Sequence, residues 1–156
     1  MDSEYYFTWI VFLVEDCYFN VPRIYFEQSE RFMNTYRQRL RSRVADGTSL
    51  DCPFRLENVS AADFKALLKL LIPLPGREEG NLTKAEWLGV LKLSKKWDYM
   101  EIFDTATNKL TKVKMDAVER ILLGDEYGIP AWLVYAHAHL VVRKKYLSDD
   151  EGERLG

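Results

Sequence analysis

The run Thr8-Trp9-Ile10-Val11-Phe12-Leu13-Val14 constrains this chain more than any other segment. It is β-branched and aromatic, and it is apolar at both parities, so as a strand it needs cover on both faces. A strand of this kind belongs in the middle of a sheet. Glu15-Asp16-Cys17 makes a polar turn. Tyr18-Phe19-Asn20-Val21-Pro22 then resumes with Phe19 and Val21 on one face and Asn20 on the other. Together the two runs predict a β-hairpin that ends at Pro22.

Helical periods follow. Tyr25, Ser29, Phe32, Tyr36 and Leu40 form one stripe over Arg23 to Arg43, with a break near Ser29. Arg41 to Asp51 loses the period and reads as a polar loop. Pro53 to Val59 alternates, with Phe54 and Leu56 inward and Arg55 and Glu57 outward, which predicts a third strand solvated on one face. Two helix starts then carry capping-box chemistry: Ser60 with Asp63, stapled by Val59 and Phe64, and Thr83 with Glu86, stapled by Leu82 and Trp87. The first of these helices stops before Pro73, because proline drives Ile72 out of helical geometry. Trp87, Val90, Leu91, Ser94 and Trp97 make the stripe of the second. After a bend at Trp97 to Met100, Ile102, Ala106 and Leu110 make the stripe of an antiparallel neighbour. Asp116 with Glu119 opens a further helix with Val118, Ile121 and Leu122 inward, closed by Gly128 as C-cap, and a last helix runs from about Pro130 to Tyr146.

These elements predict an α+β domain in which a small sheet is covered by helices. At 156 residues the chain suits one main core. The expected division is a short N-terminal extension at 1–7, the main domain at 8–111, a C-terminal helical pair packed on it at 112–147, and a polar tail at 148–156.

Charge narrows the function. Lys and Arg number 22 against 24 Asp and Glu, so the strong positive field that phosphate-backbone binding draws on is missing, and nucleic acid is not an expected direct partner. Arg31, Arg37, Arg39, Arg41 and Arg43 are spaced by two or more and spread around a helix, which reads as a solvated face. The start Met1-Asp2-Ser3-Glu4 is acidic, the reverse of a signal peptide, and no apolar run approaches the ~20 residues of a membrane helix. Cys17 and Cys52 lack metal-ligand spacing and suit reduced thiols. The expected residence is therefore intracellular, cytoplasmic or nuclear, with no membrane partner.

Reactive chemistry is sparse. His137 and His139 lie two apart on a helix and project on different sides, so they do not share a metal. His137 falls on the Leu133-Leu140-Val141 stripe and reads as a half-buried structural histidine. A Cys17/His137 nucleophile pair, the remote hydrolase-like alternative, has no motif supplying an orienting group or oxyanion hole. Phosphate-binding loops, dinucleotide fingerprints and zinc-protease motifs are missing from the sequence. Neither enzyme activity nor a cofactor or metal is expected.

The segment VFLVEDCYFNVPRIYFEQSERFMNTY, ending at Tyr36, resembles the opening of a BTB/POZ domain, carried by Phe19, Val21, Arg23, Ser29 and Phe32. RLENVSAADFKALLKLLIPL resembles that family's third strand and following helix, and KAEWLGVLKLSKKWDYMEIFDTATNKL its closing helix pair, so the likeness covers about residues 8–111. The sequence LKLSKKWDY followed by MDAVERILLGDEYGIPAWL is similar to the compact BTB proteins expanded in mushroom-forming fungi, in which two extra helices follow the domain. The chain departs from classical members at Thr8-Trp9, where they carry an Asp, and at Ile72-Pro73-Leu74.

The resemblance implies a BTB/POZ fold, a three-stranded sheet flanked by helices, and a protein-protein interaction module that homo-oligomerises as an adaptor, with a homodimer as the expected form. In some relatives it implies recruitment of a cullin scaffold of a ubiquitin ligase. For self-association the candidate anchors are Tyr5, Tyr6, Trp9, Tyr25 and Tyr36, because exposed aromatics bind at low entropic cost, although Trp9 and Tyr36 also suit a core. For scaffold docking they are Val44 and Asp46, the nearest match to the hydrophobic-x-acid triplet of cullin-recruiting members.

Overall fold

The computed structural model describes residues 2, 4, 6–42, 47–78 and 81–142, the last stretch without the side chains of 135, 136 and 139–142. It divides into two compact units, Met1–Leu110 and Thr111–Gly156. The described residues form an α+β structure with three strands and seven helices.

In the first unit the both-parity apolar run becomes β1 (Trp9–Val14), the central strand, antiparallel to β2 (Cys17–Pro22) and parallel to β3 (Phe54–Leu56). Ile10 to Val14 are all buried, as a central strand covered on both faces requires. Only Glu15 and Asp16 form the turn, with Glu15 at φ 53, the positive φ that two-residue hairpin turns favour; Cys17 already belongs to the strand. β3 is shorter than the alternation predicts, because Asn58 adopts φ 58 and turns the chain out of extended geometry.

The segment after Pro22 breaks at Ser29, as its period predicts. It gives α1 (Ile24–Glu27) and α2 (Glu30–Ser42). The Ser29 hydroxyl accepts the Phe32 amide at 3.0 Å and donates to the Trp97 carbonyl, so one buried side chain starts α2 and ties it to the end of a distant helix. The loop after α2 is not merely a polar excursion. Gly47 is buried at φ +77, and its carbonyl accepts the Val11 amide at 2.7 Å, so it continues the hydrogen bonding on the β3 side of β1.

α3 (Ala61–Leu71) begins at Ser60, whose side chain accepts the Asp63 amide, and a further first-turn amide, that of Ala61, donates to Glu15 in the hairpin turn at 3.0 Å. It ends at Ile72, extended at φ −112 and ψ 101 ahead of Pro73. α4 (Lys84–Trp97) opens with the complete Thr83–Glu86 capping box and closes at Asp98, which is left-handed at φ 62. The close helix pair is α3 with α4: a Cβ at Gly89 would lie 3.0 Å from the Asp63 Cα. α5 (Met100–Thr111) follows α4 after Asp98 and Tyr99, and the two helices meet where the Lys95 ammonium sits 5.4 Å from the centre of the Phe103 ring.

Phe12 stands at the centre of the core, its ring 4.9 Å from Phe26, 5.1 Å from Phe64, 5.8 Å from Phe54 and 5.9 Å from Phe32. These rings draw β1, β3, α1, α2 and α3 onto one point, and contacts at 5 to 6 Å are the favoured spacing for tilted and edge-on aromatics.

The second unit contains α6 (Ala117–Tyr127) and α7 (Pro130–Val142). Asp116 caps α6 through the Glu119 amide at 2.8 Å, and Gly128 closes it at φ 66. Val118 and Ile121 pack inward against Leu133, but Leu122 is exposed, since it lies beyond the arc that faces α7. Trp132 is fixed by its indole N–H to the Thr111 hydroxyl at 2.8 Å and by the Arg120 guanidinium 5.3 Å from its ring. Arg120 in turn donates to the Val113 carbonyl at 3.0 Å.

Candidate interaction surface

Among the described residues, no three His, Cys, Asp or Glu side chains gather where they would hold a metal ion. Cys17 and Cys52 are free and exposed. His137 is exposed, not half-buried as its stripe predicts, and the His139 side chain lies outside the described residues. No helix among the described residues is long and apolar enough to cross a membrane.

Three basic residues of α2 go to separate partners. Arg31 reaches the Lys95 and Lys96 carbonyls at 3.5 Å, Arg37 bridges Glu30 at 3.2 Å, and Arg39 lies 4.4 Å from the Phe54 ring while donating to the Arg55 carbonyl. They do not converge, so they form no anion site. Arg43 lies outside the described residues.

The recesses among the described residues of the first unit include two beside α3 and α2. One, of about 380 Å3, lies beside the α3 C-terminus and is lined in part by Lys69, Pro73, Arg77 and Glu78. Lys69 is engaged there by Glu86, whose carboxyl is held below its ordinary value chiefly by that hydrogen bond and next by the Thr83 amide. The other lies between α1 and α2, where Tyr36 and Met33 form the floor and the Arg23–Glu27 ion pair one wall. Neither brings a nucleophile and a base together.

What the first unit does present is aromatic surface. Tyr6 is 60% exposed, Trp9 51% and Tyr18 54%, with Phe7 and Ile24 also open to solvent. The strand register places Trp9 opposite Pro22 and Leu13 opposite Tyr18, so Trp9 and Tyr18 lie on one face of the sheet, turned away from Phe12 and the aromatic core.

Of the sequence-predicted anchors, Tyr6 and Trp9 are exposed. Tyr25 is half-buried against the core, and its carbonyl accepts the Tyr99 hydroxyl at 2.8 Å. That tyrosine is buried, which pushes its phenol pKa well above the ordinary value. Tyr36 is only 5% exposed and is corrected from surface anchor to core residue: its ring stacks on Phe32 at 6.1 Å and meets Phe54 at 5.5 Å. Tyr5, Val44 and Asp46 lie outside the described residues. The residue missed is Tyr18. Its parity, opposite to Phe19 and Val21, already placed it beside Asn20 on the outward face.

Compared with family models, with curated proteins and with solved structures, the chain finds no match.

Proposed function

We propose that this chain is a protein-protein interaction module of BTB/POZ type that associates with copies of itself and serves as an adaptor. The observation that carries the reading is the set of large aromatics left in solvent on a rigid sheet, Trp9 and Tyr18, with Tyr6 and Phe7 in the segment leading into it. An exposed indole and phenol on a fixed backbone lose little entropy on docking and have the chemistry of interface anchors. Further support is that each segment carrying the BTB/POZ likeness adopts the element the likeness implies: a hairpin, a helix entered through Ser29 and Phe32, a strand at Phe54 followed by α3, and the helices α4 and α5.

The test is light scattering after gel filtration at tens of micromolar protein. The wild-type chain runs as an oligomer, and Trp9→Ala weakens that association by about tenfold or more while leaving the far-ultraviolet spectrum unchanged. A strict monomer across that range removes the self-association reading. The cullin-recruiting reading depends on Val44 and Asp46, outside the described residues, and no observation favours it over the first.

A further inference from the structure

The two edges of the sheet are finished differently, and the difference points to a way of assembling. The Arg23 amide donates to the Thr8 carbonyl at 2.7 Å, which makes Thr8 and Arg23 a hydrogen-bonded pair. Alternation along an antiparallel ladder then makes Ile10–Val21, Phe12–Phe19 and Val14–Cys17 the other bonded pairs. The Val11 amide, reaching Gly47 on the opposite side of β1, agrees with that phase. The backbone groups of Tyr18 and Asn20 therefore point outward from β2, where no described strand pairs with them. Pro22 also faces that edge but brings no N–H. At the other edge the same logic turns the Arg55 carbonyl outward from β3, and there Arg39 occupies it. Among the described residues one edge is closed by a side chain and the other is open.

Resting on the self-association reading, we propose that the partner at the open edge is a second copy of this chain, added antiparallel through β2 with the two-fold axis at Phe19, so that a six-stranded sheet runs through both copies. In this register Tyr18 of each copy faces Asn20 of the other. All four outward N–H and all four outward C=O groups of the two residue pairs are then used, in four hydrogen bonds. Shifting the axis to Asn20 sets Tyr18 against Pro22, whose carbonyl can take the Tyr18 amide but which has no N–H to return, so the Tyr18 carbonyl of each copy is left without a donor. Charge selects the same register: Glu15 and Asp16 precede β2 and Arg23 follows it, so the acidic turn of one copy lies against Arg23 of the other. Asp16 is exposed and suited to that contact. A parallel arrangement would set like charges side by side instead. Tyr18 stays on the aromatic face described above, so the joined sheet extends that face across both copies.

Disulfide trapping tests the register. In a background with Cys17→Ser and Cys52→Ser, Tyr18→Cys and Asn20→Cys chains are mixed under mild oxidation. Bonded antiparallel partners stand about 5.5 Å apart at Cα, within disulfide reach. The expected product is the mixed disulfide, at least about tenfold over a mixture in which exposed Glu101→Cys replaces one partner, and over Asn20→Cys alone. Asn20→Pro, tolerated at a strand edge, removes a donor from each copy and is expected to weaken self-association about tenfold or more with the spectrum unchanged. If the wild-type chain oligomerises but Asn20→Pro does not weaken it and no mixed disulfide forms, the β2 edge is overturned while the self-association reading stands. Efficient linking of Asn20→Cys to itself overturns the register, and a wild-type monomer overturns both.

Discussion

Replacing Ser29 with alanine should cost far more than removing a surface hydroxyl. The residue is 1% exposed, and its one oxygen does two things: it accepts the Phe32 amide at the start of α2 and donates to the Trp97 carbonyl at the end of α4. Losing an N-cap costs about 1 kcal/mol, within a range of about 0.5–2. Leaving a buried carbonyl without its donor costs about 1–3 kcal/mol more. The volume removed is too small for a cavity to add much, so Ser29→Ala should destabilise by about 2–4 kcal/mol. With a urea slope of about 2 kcal/mol/M, the midpoint should fall by about 1–2 M. Ser60→Ala is the internal control: Ser60 caps α3 through the Asp63 amide alone, and about 1 kcal/mol is expected there. Urea titrations of both variants, followed by circular dichroism and tryptophan fluorescence, make the comparison. If Ser29→Ala costs no more than Ser60→Ala, the Trp97 bond contributes nothing and the reasoning fails.

Gly47 and Gly76 share a left-handed backbone, at φ +77 and +79, but a Cβ at Gly47 would meet Ile10 Cγ2 at 2.7 Å whereas one at Gly76 meets nothing within 4 Å. Gly76→Ala should therefore cost the backbone penalty of about 1–2 kcal/mol, and Gly47→Ala should add about 1–3 kcal/mol of overpacking, with thermal midpoints as the measure. Equal shifts would mean that the loop yields at no cost. Glu86 supplies a pH dependence. Lys69 and the Thr83 amide hold its carboxyl below the ordinary value of 4.5, so its contribution to stability is present above that value and is lost as the pH falls through the lower folded-state value. Glu86→Gln should flatten the urea midpoint on the acid side of 4.5, and a profile parallel to the wild type's would show that the Lys69 contact is lost in solution.

Much of the local structure was legible because it is decided by neighbouring residues. Ile72 leaves the helix because the next residue is proline, Thr83 and Glu86 satisfy each other's amides three residues apart, and Gly128 closes α6 because a left-handed residue is easiest to supply there. What could not be read is whatever two distant segments settle between them. Nothing in the loop's composition shows that Gly47 docks on Val11, or that Glu15 in a hairpin turn would receive the first amide of α3. Tyr36 illustrates the same limit: its period puts it on the buried stripe, and only the positions of Phe32 and Phe54 close the surface over it.

The candidate surface was half legible for a related reason. A catalytic site announces itself through residue types at fixed spacing, whereas a strand edge is made of backbone groups that every sequence carries. What distinguishes the two edges here is the fate of single atoms: Arg39 ends the β3 edge by taking the Arg55 carbonyl, while among the described residues none takes those of Tyr18 and Asn20. Sequence parity already sets Tyr18 outward, and the register decides that its amide faces outward as well. Exposed edges invite indiscriminate pairing unless something restricts the partner. Pro22 at one end and the Glu15–Asp16 turn at the other restrict it in this strand, since together they favour the alignment that uses both backbone groups of Tyr18 and Asn20 and sets the acidic turn against Arg23.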